Sequence, residues 1–488
     1  MRYGKLLGLT GFFAISLLCT TVRAQEATDE AADTHNTEQP KEAEAPTPVL
    51  SPAATVPATA VEAPPAGPKL GDVSVSGYFR GGFGASNQKG RMTCFSLAIP
   101  GSMVSKYRLG NECEVWSETH FSVVTYVGAD GAVATMHFMP TVYIPTTYIG
   151  YSPTSTTNSP AAFTTSTGAT LSFPNLYVDL KGVSGLGGGT AWIGNRYYKR
   201  ESIYISDFFY WNPSGVGGGI EDINLGKDVR LSYGAFAVDG EPAPVGGTGG
   251  PSLPAQSDFG LRNDIQLRGI KPYESGELQL GFQYIANLSN NPDTSSGWGV
   301  TVQFVQKLLG GDNKLAFQYG RGGGTGFGTL ARFYYPDFSV RHHTNEFRYR
   351  AVDVFTIQPT PWLGGQIGLV YQHDDLGTAG TKSDWYSAGG RVAVALSTHF
   401  KILGEAGFDR VKKDNGAEAQ WLGKFTIAPT LAAAGGLLSR PELRLFYTWA
   451  TWNATAQTAT IDSGRLYTDT YPDYRSGATF GLQAETWW

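Results

Sequence analysis

The chain has 488 residues, of which 16% are charged and 13% aromatic, and its formal net charge is −5 at pH 7. A nucleic-acid-binding protein would carry a strongly basic surface, so this balance argues against such a partner. Beyond the first residues no apolar run reaches the about 20 residues that a spanning helix needs, and amphipathic helical patterns are scarce.

Residues 1–24 form a predicted signal peptide. Arg2 and Lys5 precede an apolar stretch from Leu6 to Leu18, and the segment ends in a small-residue cleavage pattern at Val22-Arg23-Ala24. The apolar stretch is too short for a membrane anchor. We therefore expect export from the cytoplasm and removal of this segment.

Residues 25–70 are rich in Ala, Pro, Thr and Glu. Such a composition cannot build a core and favours extended, polyproline-like geometry. We interpret the segment as a periplasmic tether, and an envelope-anchoring role for it is a hypothesis.

Only two cysteines, Cys94 and Cys113, follow residue 24. Exported proteins mature in an oxidising compartment, where paired thiols form disulfides. A Cys94–Cys113 disulfide is therefore predicted, and the sequence predicts neither a metal site nor a cofactor.

Residues 71–488 alternate apolar and polar side chains with a period of two, which is typical of β-strands. In the first such stretch Val73, Val75 and Phe79 share one face, whereas Tyr78 and Arg80 share the other. The pattern recurs to the C-terminus, and its polar face also carries Glu114, Trp116, Glu118, His120, Arg348, Arg350, Trp385, Arg391, Glu442, Arg444, Trp452, Gln483 and Glu485. Tyr78 and three tryptophans are thus predicted to point the same way as the charged residues.

The stretch from Arg196 to Gly219 contains seven aromatic residues among five charged ones and ends in glycines. A buried core would not tolerate so many charges, and a solvated loop would not need so many rings. We predict a loop that folds into a water-filled barrel and narrows it. Its mixture of flat apolar faces and hydrogen-bonding groups suits a sugar, because a pyranose has an apolar face and a belt of hydroxyls.

A soluble β-sandwich would also alternate, but three features favour a membrane barrel. The chain is predicted to be exported, the apolar faces end in Tyr and Trp, and the mean hydropathy is low, as a wet lumen requires. Short turns at 272–276 and 310–313 also contrast with long Gly/Thr/Ser-rich connections at 143–171, 240–261, 320–340 and 453–476. At about 10 residues per strand the span suits a porin of about 16 to 18 strands.

Several motifs resemble the maltoporin family of sugar-specific outer-membrane porins. They are residues 105–114, 196–200, 207–215, 217–221, 439–441 with Trp452, and the C-terminal 479–488, and the similarity runs in order through 71–488. The resemblance implies an all-β fold, namely an 18-stranded antiparallel transmembrane β-barrel with an inward-folded constriction loop. It also implies a homotrimer in the bacterial outer membrane.

The resemblance further implies roles for individual residues. Substrate-binding residues would be the aromatic slide, Tyr78, Trp116, Trp385 and Trp452, and the polar track, Arg80, Arg108, Glu118, Arg200 and Asp207. Arg196, Tyr198, Glu201 and Phe209 would form the constriction, and Cys94 and Cys113 fall where the family has its first-loop disulfide. The implied function is facilitated diffusion of maltose and maltodextrins through a channel that is not an enzyme.

The chain departs from the family pattern at several positions. Asp312 stands at a slide phenylalanine, Ser202 at an acidic track residue and Phe209 at a constriction tyrosine, while a track arginine aligns with Pro174. The tryptophan that a neighbouring subunit usually contributes from the second loop is missing, and Tyr143, Tyr148 and Tyr151 are candidates to replace it. These changes shorten the slide, so a sucrose-tuned or less selective porin is the alternative.

Overall fold

The computed structural model describes residues 67–99, 103–145, 155–159, 162–165, 170–239, 259–288, 295–326, 344–458, 467 and 470–488. The predicted signal peptide, the tether up to residue 66, and Tyr148 and Tyr151 lie outside the described residues.

Eighteen antiparallel strands form one closed sheet, so the predicted fold class is confirmed. They are β1 Val73–Ser86, β2 Glu114–Val127, β3 Val133–Pro145, β4 Thr170–Lys181, β5 Thr190–Arg196, β6 Gly215–Gly226, β7 Val229–Asp239, β8 Phe259–Tyr273, β9 Gly276–Asn287, β10 Gly297–Leu308, β11 Gly311–Gly322, β12 Phe347–Thr360, β13 Leu363–Asp375, β14 Ser383–Ala395, β15 Phe400–Lys413, β16 Gln420–Ala432, β17 Glu442–Trp452 and β18 Ser476–Trp487. β18 pairs with β1, which also pairs with β2, and this pairing closes the barrel.

Shorter elements lie in the connections. They include the strand segments Gly90–Arg91, Leu97–Ile99, Met103–Ser105, Ser155–Ser159, Ala162–Thr165, Glu201–Ile203 and Phe208–Trp211, the 3₁₀ turns Tyr204–Ser206 and Gly323–Thr325, and the α-helical turn Ala454–Thr458. None of the helices in the described part of the chain has the length and the apolar character that crossing a membrane requires.

The alternation sorts the strand residues as predicted, with apolar side chains outside and polar ones inside. In β17, Leu443 and Leu445 expose 59% and 57% of their surface, whereas Glu442 and Arg444 expose 1% and 2%. A soluble sandwich would bury its apolar face, so this inverted arrangement distinguishes a membrane barrel from the soluble alternative.

Turns are tight at one end of the barrel, while most connections at the other end are longer. β6 and β7 are joined by Lys227 and Asp228, and β10 and β11 by Leu309 and Gly310, all with positive φ. Two positive φ values in a row match the twist of the flanking strands. Both predicted turns are shorter than expected: residues 311–313 already belong to β11, and only residues 274 and 275 separate β8 from β9.

Among the described residues, more than the one predicted connection folds into the barrel, and two of these connections are prominent. We call residues 87–113 loop A and residues 197–214 loop B. Buried apolar side chains of both loops, among them Phe95 and Tyr107 of loop A and Ile205 and Phe208 of loop B, belong to one cluster with inward-facing residues of the wall. The barrel therefore has an apolar core inside its polar inner face, built from its own loops.

Candidate functional site

Loop B folds into the lumen and is bonded to several strands of the wall. The Ile205 N–H donates to Gln366 of β13 at 3.1 Å, and the Tyr210 hydroxyl donates to Gln303 of β10 at 2.6 Å. At its return to β6, Arg262 of β8 donates to the Pro213 carbonyl at 2.5 Å. The prediction that residues after Arg196 narrow the barrel therefore agrees with the structure.

The local sequence explains this path. Glu201–Ile203 pairs with Phe208–Trp211, and the 3₁₀ turn between them ends at Asp207, whose φ of 54° is left-handed. Short polar residues such as Asp tolerate that conformation better than branched ones. Alternation along the hairpin buries Ile203, Phe208 and Tyr210 while Phe209 remains partly exposed.

Loop A docks on the inner wall of β15 to β17. The Leu109 N–H donates to Glu405 at 2.9 Å, the Lys424 ammonium donates to the Leu109 carbonyl at 2.7 Å, and Thr448 donates to the Gly110 carbonyl at 3.1 Å. The two loops also meet, because the Arg108 N–H donates to the Ile205 carbonyl at 2.9 Å. The narrowing is thus formed by two loops that support each other.

The predicted disulfide is confirmed. Cys94 and Cys113 are bonded, with their Cα atoms 5.9 Å apart, and they join the two arms of loop A. Asn111 ties the same arms, since its side chain accepts from the Phe95 N–H and donates to the Phe95 carbonyl, both at 2.7 Å.

Arg80 connects loop B to the wall. Its guanidinium lies 2.8 Å from Asp207 and 2.9 Å from Glu114, which begins β2. Burial opposes ionisation of Asp207, but Arg108 and Arg80 outweigh it and hold the pKa of this carboxyl well below its usual range. Asp207 therefore remains an anion in loop B.

Flat rings and charged groups alternate beside this pair. The Trp116 ring lies 5.7 Å from the Arg80 guanidinium, and its indole N–H donates to Glu118 at 3.0 Å. Arg200 stands over the Tyr197 ring at 3.4 Å and over Phe209 at 4.6 Å. The structure thus brings rings of intermediate exposure together with donors and acceptors, which is the mixture the loop sequence predicted.

Tyr78 of β1 and Arg108 of loop A belong to a second cluster of hydrogen-bonded residues inside the barrel. Arg108 donates to the Tyr78 hydroxyl at 2.5 Å and pairs with Glu112 at 2.6 Å. Burial disfavours the Arg108 charge, but Glu112 and its other neighbours outweigh that cost and raise its pKa well above the usual value. The guanidinium therefore stays charged at any pH that the protein meets.

The sequence model of the LamB porin family matches residues 73–488, the whole barrel. The chain belongs to the LamB porin family. LamB porins are channels of the bacterial outer membrane, so this barrel is an outer-membrane porin and not an enzyme.

Solved outer-membrane barrels are similar to this LamB porin at low identity. Vibrio cholerae OmpT in its trimer form has 8% identity, covers 86% of this chain and 100% of its own, and gives a TM-score of 0.38. Pseudomonas aeruginosa OpdK, solved with vanillate, has 10% identity, the same two coverages and a TM-score of 0.43. Acinetobacter baumannii OccAB2 has 10% identity, covers 86% of this chain and 98% of its own, and gives a TM-score of 0.44.

Two of the four predicted slide rings, Trp385 and Trp452, point inward but are covered by neighbouring side chains. Trp452 exposes 1% of its surface and packs 4.9 Å from Tyr467 and 5.8 Å from Phe95, measured between ring centroids. Trp385, also 1% exposed, meets Phe208 edge-on at 5.1 Å. Both rings therefore face the interior, as the alternation predicted, but neighbouring rings cover them, and their role in sugar binding stays a prediction.

Tyr198 does not line the constriction, which corrects its predicted place. Its ring is fully buried between Trp192 and Phe236, at centroid distances of 5.3 Å and 5.4 Å. Arg196, also assigned to the constriction, pairs with Glu221 at 2.8 Å and stands over the Tyr177 ring at 4.6 Å. These contacts belong to the root of loop B, where it leaves the wall.

Glu201 bonds loop B to the wall at β8 and β11. Its carboxylate pairs with Arg268 of β8 at 2.9 Å and with Lys314 of β11 at 2.8 Å. Ser202 follows it in the loop, and Asp312 is buried at the start of β11, near the tight turn. The acidic charge next to Ser202 is therefore neutralised by the wall rather than offered to the lumen.

Two residues that shape this LamB porin's constriction were not predicted from the sequence. Glu405 and Lys424 bond loop A to the barrel wall through the backbone of Leu109. These two charged residues lie on inward faces of β15 and β16. A buried charge needs a polar partner, so their positions could have indicated that a loop docks there.

Proposed function

We propose that this LamB porin carries sugars, above all maltose and maltodextrins, across the outer membrane by facilitated diffusion. The observation that carries the proposal is the juxtaposition of rings and charges on β1, β2 and loop B. Tyr78 pairs with Glu118 and Arg80 with Trp116 between β1 and β2, and Arg80 also holds Asp207 of loop B. A pyranose stacks its apolar face on a ring while its hydroxyls exchange hydrogen bonds with the flanking charges.

The contacts between a sugar and these rings suit transport because each contact is weak. A sugar–ring contact of about 0.5–1.5 kcal/mol, on the scale of aromatic pairs, gives at most millimolar sites. Weak sites in series allow entry without slowing release. Arginine suits the track because it stays charged and presents donors in a fixed fork.

Liposome swelling tests sugar selectivity. Vesicles containing the porin should swell faster in maltose or maltotriose than in a zwitterionic solute of the same size, because only the sugars gain from ring stacking. Vesicles without the porin control for leakage. Equal rates for sugars and size-matched zwitterions would refute the proposal.

A second candidate, a porin for short sugars such as sucrose, is favoured by the covered faces of Trp385 and Trp452. With these rings enclosed, the accessible rings Tyr78 and Trp116 form a shorter platform. In the same assay this candidate predicts rates that fall sharply beyond a disaccharide, whereas the maltodextrin channel predicts sustained uptake of longer chains.

We further propose a homotrimer within the outer-membrane lipid, as the family resemblance implies. The purified porin should migrate as a trimer on unheated gels and as a monomer after boiling. A monomer mass in detergent by light scattering would reject this part of the proposal.

A further inference from the structure

We propose that Glu485, near the C-terminus, and Tyr204, at the tip of loop B, form an anchor that sets the width and sugar affinity of the constriction. This inference rests on the proposed function for its sugar readout but not for its readout of loop motion. Both are positioning residues, since neither is argued to touch the sugar.

The Glu485 carboxylate accepts hydrogen bonds from five side chains, although Glu485 exposes only 1% of its surface. One carboxylate oxygen accepts from Tyr78 at 2.8 Å and from Arg108 at 3.1 Å. The other accepts from Tyr204 at 2.5 Å, from Arg440 at 2.7 Å and from Arg444 at 2.5 Å. A single side chain thus joins a predicted slide ring, a predicted track residue and the loop tip.

Tyr204 is enclosed by positive charge. The guanidinium groups of Arg108, Arg391 and Arg440 stand 5.0, 5.3 and 5.6 Å from its ring centroid. Its hydroxyl donates to Glu485 and accepts from Arg440. Cation–π contacts fix the ring, and the charge-assisted hydrogen bonds fix the hydroxyl, so the tip of loop B has little freedom.

The anchor position affects the sugar path directly. Tyr204 lies three residues before Asp207, which Arg80 holds beside Trp116. The Tyr204 carbonyl also accepts from the Asp207 N–H at 3.3 Å. Releasing the tip therefore moves the acidic partner of the track, while the barrel strands stay in place.

The variants Tyr204→Phe and Glu485→Gln separate anchoring from charge. Tyr204→Phe keeps every charge and the ring, and should weaken maltose block of reconstituted channels about tenfold, as loss of charge-assisted hydrogen bonds implies, with unchanged ion selectivity. Glu485→Gln should weaken block at least as much and shift selectivity toward anions. Both should raise open-channel current noise.

Glu277→Gln provides the matched control, because it removes an inner-face carboxylate that bonds Gly269 and Gln279 rather than loop B. It should leave sugar block and noise near wild type. Wild-type block and wild-type noise in Tyr204→Phe would overturn the anchor. If the wild-type channel shows no sugar block, the proposed function fails, and the noise comparison alone decides the inference. Tyr204→Phe keeps the test valid if Glu485→Gln does not fold.

Discussion

Replacing Arg80 with alanine should free loop B from β1 and β2 and make the channel leakier and more cation-selective. The guanidinium faces three carboxylates, at 2.8 Å from Asp207, 2.9 Å from Glu114 and 3.4 Å from Glu112. Removing one partner of a buried ion pair costs about 3–5 kcal/mol, because the remaining charge is uncompensated. Sugar block should weaken strongly, and the selectivity shift is measured as a reversal potential in a salt gradient.

A double-mutant comparison separates this pair from a general loss of stability. If the Arg80–Asp207 contact carries the effect, Arg80→Ala with Asp207→Ala should cost less than the sum of the two single changes. Arg80→Lys keeps the charge but not the fork, and should lie between wild type and alanine. Fully additive effects on sugar block would show that the two residues act independently.

Replacing Gly407 with alanine should displace loop A from the wall. Gly407 of β15 pairs with Gly389 of β14, and the Tyr107 ring lies on this flat patch with its hydroxyl 2.9 Å from the Ser387 hydroxyl. A Cβ at Gly407 would fall 1.9 Å from a ring carbon of Tyr107. Overpacking of this kind costs about 1–3 kcal/mol. The temperature of thermal unfolding should fall, and open-channel conductance should rise as loop A and loop B separate.

Gly404 is the matched control for this substitution. It lies on the same strand, and a Cβ there would meet only Val392, at 3.5 Å, which is an ordinary contact. Gly404→Ala should therefore retain wild-type conductance and thermal stability. Equal behaviour of the two variants would contradict the packing of Tyr107 on the glycine patch.

The barrel and the direction of its side chains could be predicted because both depend on local periodicity. Adjacent strand residues face opposite sides, so Tyr78, Arg80 and Trp116 could be placed on the inner face from their neighbours alone. Loop B was also predictable, since its rings and charges together exclude both a dry core and a simple solvated loop.

The docking of loop A could not be predicted in the same way. It depends on contacts between distant positions, such as Leu109 with Glu405 and Lys424, which no local pattern reveals. The covering of Trp452 by Phe95 and Tyr467 has the same origin. Gly389 and Gly407 were a usable signal, because glycine on an inward strand face marks a close approach of another group.

The most direct test of a sugar path through this porin is single-channel current during titration with maltotriose, for wild type and Trp116→Ala. We predict a saturable block in wild type that weakens in Trp116→Ala while salt conductance is retained. A reduction in current that grows linearly with sugar concentration, equal in both proteins and equal for a size-matched polyol, would contradict it.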